Sequence, residues 1–518
     1  MRCDVKGVSE TRLKTCEPSA GEHCSSRGCR PLCAEAEKER SYIGCEYWPV
    51  TTLNDELDER FAFAVVVANP QLVNAQIRIE RGDEVILKAS VPPGEVESFI
   101  LPWVVGLRGT RTDSALSVPS SLVSDGAYRL ESDVPITVYQ FNPLRYEQDD
   151  AFSFTNDASL LLPSSTLTGS YIAMSRGTMF VETSLENSVV RSHNPGFVAI
   201  VATEDNTEIN FTSRAYTEAT PDGEIPALIP GGTATFLLNR GDVAQITSAR
   251  PELCPVAPFE EQVAAGTGSV VYRYCDVGAE YDLTGSLIQA NAPVEVVGGH
   301  GCAFVPYNRF ACDHLEEVLF PVEAWGDAVI VSATAPVQNE PNLVRIVAAE
   351  HNTSVRFEPA IVPSFTLEQG EFEEFVIESH VRVIASGPIS VAQYLVGQNY
   401  EGANAVGADA GDPSMSLAIP ETQFRNSYDV LAPSTYDRNM INVTVRSGAE
   451  VLLDGDPITN FSPVGTSEWQ VARIQLTPGA HHLESSTLFG VVVYGFGRFT
   501  SYMVPGGLDL RPVNSPLL

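Results

Sequence analysis

Four side chains stand close enough along the chain to be read as a metal-ligand set: His300, Cys302, Cys312 and His314, in the order HxC then CxH. Two sulfurs and two imidazoles satisfy tetrahedral zinc. The spacing departs from CxxC, however, and two cysteines about ten positions apart in an exported chain oxidise more readily than they chelate. A Cys302–Cys312 disulfide is therefore the expected reading and zinc the alternative. With nearby carboxylates, that alternative would make the chain a metal-dependent extracellular hydrolase built on His300 and His314.

A second candidate lies in residues 400–413 (YEGANAVGADAGDP), where Glu401, Asp409 and Asp412 offer oxygen ligands among glycines, as calcium requires. They match no EF-hand spacing, and a solvated loop is the simpler reading. The acidic turns at 204–206 and 454–456 read as ordinary turn chemistry. The chain contains no Gly-x-Ser-x-Gly, HExxH, Walker or dinucleotide-binding glycine pattern, so no catalytic residue is expected and the chain reads as a non-enzyme. No cofactor is expected either, with calcium the open alternative. Trp48, Trp103, Trp325 and Trp469 read as core plugs near unit edges.

What must position these residues is a repeat. The stretch 132–144 (SDVPITVYQFNPL) returns as 290–300 (ANAPVEVVGGH), 385–398 (ASGPISVAQYLVGQ) and 485–497 (SSTLFGVVVYGFG). Each opens on small or polar residues, three of the four with Pro, and continues as a run rich in Val, Ile, Tyr and Phe, which is a strand signal. A second phrase follows each: SLLLP at 159–163, EVLFP at 317–321, SLAIP at 416–420 and SYMVP at 501–505. Self-similarity in fixed order implies four related units. Between the repeats lie alternating strands and Gly/Pro turns, as in 197–203 (FVAIVAT) with 207–211 (TEINF), and 343–349 (LVRIVAA) with 353–357 (TSVRF).

The expected fold is all-β: four tandem, closely packed β-sandwich-like units with a Cys-rich N-terminal segment, a propeller-like arrangement being the alternative. The expected divisions are 1–45 for the Cys-rich segment, then units at 46–150, 151–306 (with loop insertions), 307–411 and 412–518. Six cysteines, Cys3, Cys16, Cys24, Cys29, Cys33 and Cys45, crowd the first segment, which is too short to build a core without staples. Cys254 and Cys275 are expected to pair and pin a long loop in the second unit.

A net charge of −34 with only four lysines repels phosphate backbones, so nucleic acid is not an expected partner. No run of about 18 apolar residues suggests a membrane helix. The opening Met-Arg-Cys-Asp-Val-Lys lacks an apolar export core, so an export signal or lipid anchor is expected upstream.

The phrases at 42–48 (YIGCEYW), 61–70 (FAFAVVVANP), 156–163 (NDASLLLP), 299–306 (GHGCAFVP), 312–321 (CDHLEEVLFP), 411–415 (GDPSM) and 500–507 (TSYMVPGG), taken in this order, resemble the IgGFc-binding protein N-terminal domain family. That family includes many exported, often lipid-anchored, bacterial proteins, and low Lys beside high Arg and Ala fits a bacterial coding bias. The resemblance implies an extracellular or cell-surface binding or adhesion module that displays loops to a protein, glycan or matrix partner. It brings no catalytic residues with it.

Overall fold

Each unit is built on one long strand: Arg129–Asn142, Leu287–Phe304, Val381–Leu395 and Gly479–Gly497. In this computed structural model, which describes residues 22–25, 28–57, 60–109, 117–185, 188–265, 268–398, 400 and 411–517, the four occupy equivalent places in their sheets. The N-terminal part of each pairs with one strand (75–81, 207–212, 353–358 or 451–453) and the C-terminal part with another (63–68, 196–202, 342–348 or 438–446). Pro135, Pro293 and Pro388 fall at the changeover, and Leu488 takes that place in the fourth unit. The expected strand start at these prolines is corrected by the structure, because the strand runs straight through them. Proline has no N–H to give a ladder, so it fits the point where a strand leaves one partner before joining the next.

A lead-in strand reaches each changeover: Gly44–Tyr47, Thr168–Ile172, Gly326–Val331 and Arg425–Ala432. All four carry an irregularity in register at their start. In three of them a tyrosine holds it. The Tyr47 hydroxyl accepts the Gly44 amide at 2.7 Å and donates to the Ile136 carbonyl at 2.6 Å. Tyr171 does the same with Thr168 (3.3 Å) and Val294 (2.8 Å), and Tyr428 with Arg425 (2.8 Å) and Phe489. Ile136, Val294 and Phe489 each follow the changeover residue, so the hydroxyl satisfies backbone groups that the break in the ladder would otherwise leave without partners. Val329 stands in the equivalent place of the third unit.

After each long strand the chain turns back as a short axial strand: Asp157–Leu160, Cys312–Val318, Ser414–Leu417 and Thr500–Pro505, paired with the end of the long strand just left. The first touches the second and the fourth, and the third touches the same two. The four curled sheets are therefore set around a common axis, and the all-β, repeat-built expectation holds with a propeller-like closure. Strands that flank the long strand on the side away from the axial strand are buried on both faces and read as mainly apolar runs, as in Gly196–Ala202 and, broken by Arg345, Asn342–Ala348. Those on the outer layer alternate, as in Thr353–Glu358.

The second unit carries an addition to this plan. Strands Met179–Leu185, Ser188–Asn194, Phe259–Ala265 and Gly268–Tyr274 form a separate four-stranded sheet, hereafter the arm, with 188–194 and 259–265 at its two edges. The loop expected to be pinned by Cys254 and Cys275 thus contains a hairpin, 259–274, and it pairs with a second hairpin at 179–194 that was not expected. Cys254 and Cys275 are joined at the arm's base. At the N-terminal end Cys33 is bonded to Cys45, and Cys29 is also disulfide-bonded. The side chains of Cys3, Cys16, Cys24, Glu401 and Asp409 lie outside what the structure describes. No helix among the described residues is long and apolar enough to cross a membrane.

Candidate functional site

The HxC/CxH residues come together, but not around a metal. Cys302 and Cys312 form a disulfide across the turn between the second long strand and its axial strand, with Cα atoms 5.2 Å apart. No thiolate is left for zinc. His300 Nδ1 accepts the Cys302 amide at 3.0 Å, and its Nε2 lies 3.1 Å from the Gly177 carbonyl. Burial first, and then the charge of Arg176, lower its pKa to about 3, so it is a neutral core histidine. His314 Nε2 sits 3.2 Å from the Thr52 hydroxyl and 3.1 Å from the Asn142 amide nitrogen. The zinc alternative and the hydrolase built on it are corrected accordingly.

The neighbours of His314 reveal a site that spacing does not show. Asp157, Asp313, Glu316, Glu317 and Asp412, from or beside three of the axial strands, are all fully buried around the common axis. Asp157 Oδ1 accepts the Ser414 hydroxyl at 2.8 Å and the Ala158 amide at 3.0 Å, and Oδ2 accepts the amides of Glu316 (3.1 Å) and Met415 (3.2 Å). Glu316 accepts from Thr52 (2.7 Å), Gln140 (3.1 Å) and Asn142 (3.3 Å). Asp313 Oδ1 accepts the amides of Asn156 and His314, while its Oδ2 finds no donor. Asp412 Oδ1 accepts the Gln398 amide at 3.4 Å.

Burial pushes the carboxyls of Asp157, Glu317, Asp313 and Asp412 well above the usual range. For Asp313 the nearby Asp412 adds to the rise. Among the described residues no Lys or Arg forms an ion pair with any member of this group, so no cation offsets the burial that raises these four carboxyls. Of the three calcium candidates, Asp412 is in this interior group, and no set of three or more metal-ligating side chains is gathered among the described residues. At this depth the acids hold strands together.

A second polar centre joins the second and third units. Arg345 Nη1 lies 2.7 Å from Asp282, its Nη2 3.0 Å from Glu374, and Arg176 Nη1 2.8 Å from the same Glu374 oxygen. Both guanidiniums lie against the Tyr394 ring. Burial would raise the Glu374 pKa, but the two arginines overcome it and hold it below the ordinary range. These groups border a cavity of about 270 Å³, yet two cations are matched there by two carboxylates, which describes an internal fastening.

The geometry suited to a ligand lies elsewhere. Between the arm and the first unit runs a cleft of about 690 Å³, within the size range of ligand sites. One wall is 190–194 of the arm's edge strand. The other is 117–121, with the turn at 105–109 and the 53–56 segment closing the end. Gln245 fixes that end, accepting the Leu53 amide at 2.9 Å and donating to the Leu107 carbonyl at 2.8 Å. None of these residues was singled out by motif. The axial acids did leave a signal, since Glu317 stands where the sister strands carry Ser159, Ser416 and Ser501.

The family profile described as IgGFc binding protein matches residues 157–495, beginning at Asp157 and ending within the last long strand. The human IgGFc-binding protein is 24% identical over 253 residues, which is 48% of this chain and 4% of that protein's length. Since the profile spans most of the repeat array and three of its four axial strands, the chain belongs to the IgGFc-binding protein family.

Proposed function

We propose that this chain is an extracellular binding protein whose ligand is another macromolecule, taken up in the cleft between the arm and the first unit, and that it catalyses no reaction. The observation that carries this is the cleft itself, about 690 Å³ and lined by the arm's strand 190–194 and the 117–121 and 105–109 segments, on a disulfide-stapled frame. Loops and edges on a rigid scaffold are where binding usually resides. The disulfides at Cys33–Cys45, Cys254–Cys275 and Cys302–Cys312 fit an oxidising compartment, and attachment to an outer cell surface with a role in adhesion is part of the same reading.

The name of the human relative makes immunoglobulin Fc the first ligand to try, followed by mucin glycans and matrix proteins. Biolayer interferometry of the purified chain against immobilised Fc, mucin, fibronectin and a glycan array, with calcium present, tests this reading. Saturable binding to one of them, weakened by His193→Glu or Ser120→Tyr in the cleft, is expected. Silence across the panel from a folded chain, or binding indifferent to both substitutions, overturns it.

A further inference from the structure

A cavity of about 430 Å³ lies where the second unit meets the third, and it shares no lining residue with the cleft. It is bordered by a contact between two glycine backbones, one from each unit. A Cβ placed on Gly285 would overlap the Gly370 carbonyl oxygen, and one placed on Gly370 would overlap the Gly285 carbonyl oxygen. Both residues also hold a positive φ, +90° and +70°, so neither position accepts a side chain. The stem of Arg214 crosses this contact, its Cδ 2.8 Å and 3.4 Å from the two places where those Cβ atoms would stand. The walls are pinned as well. The Arg214 amide donates to the Ser286 hydroxyl at 3.0 Å, the Tyr216 amide to the Glu280 carbonyl at 2.8 Å, and the Gln369 side chain to the Ala349 carbonyl at 3.0 Å. The cavity is therefore formed in advance of any ligand, and its volume is in the range of small-molecule sites.

Charge narrows the choice of occupant. The charged side chains lining the cavity are Arg214, half-buried, and Glu280, exposed. They are not paired with each other, and among the described residues neither side chain has an ion pair or a hydrogen bond. At the same junction the chain does answer its other arginines, giving Asp282 and Glu374 to Arg345 and Glu374 to Arg176. Both halves of an ion pair are thus offered to one cavity without being joined. A guanidinium fork matches a carboxylate, and a carboxylate matches an ammonium. A ligand with both groups brings no net charge into a chain of −34, whereas an anion of similar size would meet that field.

We infer that this cavity binds a small zwitterion, an amino acid or dipeptide whose carboxylate is taken by Arg214 and whose ammonium is taken by Glu280. Pro230 and Leu287, also in the lining, give apolar contact to its side chain. The site is separate from the cleft, and it stands or falls independently of the macromolecular ligand proposed there.

Isothermal titration calorimetry of the full chain with the standard L-amino acids and a set of dipeptides tests this, each binder being compared with its N-acetyl and its C-terminal amide derivative. Saturable binding is expected, weakened about tenfold or more by removal of either ligand charge. Arg214→Met keeps the stem over the two glycines and should abolish the preference for carboxylate over amide. Glu280→Gln should abolish the preference for ammonium over N-acetyl, and the melting temperature of both variants should be unchanged. The derivatives probe the same two contacts on the unsubstituted chain, so a variant that fails to fold does not shield the inference. No binding by any of these ligands overturns it, as does a binder that tolerates loss of either charge or keeps its selectivity in both variants. Binding of N-acetylneuraminate or glucuronate that Arg214→Met abolishes and Glu280→Gln leaves intact also overturns it, and assigns the cavity to an acidic sugar.

Discussion

Ser414 donates its hydroxyl to Asp157 Oδ1 at 2.8 Å, joining residues 257 apart in the chain. The other oxygen of Asp157 takes amides from Glu316 and Met415, so one carboxyl ties the axial strands of three units. Removing it leaves four buried donors, the Ala158 amide included, without this acceptor. Asp157→Ala should cost about 3 kcal/mol or more, and Ser414→Ala about 1 kcal/mol. Urea unfolding of the two variants measures this; a loss below about 1 kcal/mol for Asp157→Ala would show that the ring closes without it.

The pair Asp313 and Asp412 makes stability depend on pH. Burial, and for Asp313 also the neighbouring Asp412, raises both folded pKa values above the unfolded ones. Their contribution is thus full below about pH 4 and is lost as pH rises towards the raised values. His300 and His380 act the other way. Burial lowers them to about 3 and about 4 from 6.5, so their contribution is present above about 6.5 and lost as pH falls. Above about pH 6.5 the histidine contribution no longer changes, so a fall of melting temperature with rising pH there belongs to the raised buried acids. Asp313→Asn should lessen the destabilisation caused by raising the pH; an unchanged slope removes Asp313 from the explanation.

The repeat was legible because proline, β-branched residues and turn glycines are local signals, and each unit states them in the same order. The ring was not. Asp157, Asp313 and Glu317 sit in short strands where a charge ordinarily marks a solvent-facing position, and they become interior only when four units separated by about a hundred residues meet. Arg345, alone in the apolar run LVRIVAA, is a comparable signal whose partner Asp282 belongs to another unit. Pro135 and its equivalents were read correctly as unfit for a ladder, yet placed at a strand's start, since sequence does not say that a strand changes partners midway. The arm's first hairpin, 179–194, went unread because its second strand is exposed over 188–192 and only Phe180 and Val181 of its first reach an apolar cluster.

Tyr47, Tyr171 and Tyr428 give the repeat an energetic test. Each hydroxyl serves one amide and one carbonyl beside a changeover. Substitution by Phe should cost about 1–2 kcal/mol at each site, and the three losses should add, because the sites share no partners. Val329 shows that a unit folds without the hydroxyl. Neutral substitutions at all three positions would mean that water takes over these bonds.

The Cys254–Cys275 bond closes a loop of 21 residues at the base of the arm, for which chain entropy suggests about 3 kcal/mol. The arm's sheet is separate from the four around the axis, so the loss should be local. Cys254→Ser with Cys275→Ser should speed proteolysis within 179–194 and 254–275 and leave the axial strands protected in hydrogen exchange. Global unfolding at the same protease concentration contradicts this separation.

Two buried arginines share the carboxylate of Glu374. Taking it away leaves Arg176 and Arg345 facing each other with Asp282 as the remaining counter-charge, so Glu374→Ala should destabilise by about 3–5 kcal/mol. Arg176→Met placed in that background removes a cation that has lost its partner. The double variant should therefore be more stable than the two single losses added together, by about 1 kcal/mol or more. The folded pKa of Glu374 is depressed, with the arginines outweighing burial, so its contribution is present at neutral pH and drains as pH falls below about 4. A double-mutant cycle read at pH 7 and again at pH 3 should show the coupling at pH 7 and a smaller one at pH 3. Equal coupling at both values would assign the fastening to the packing of both guanidiniums on Tyr394, and the shared carboxylate would then be incidental.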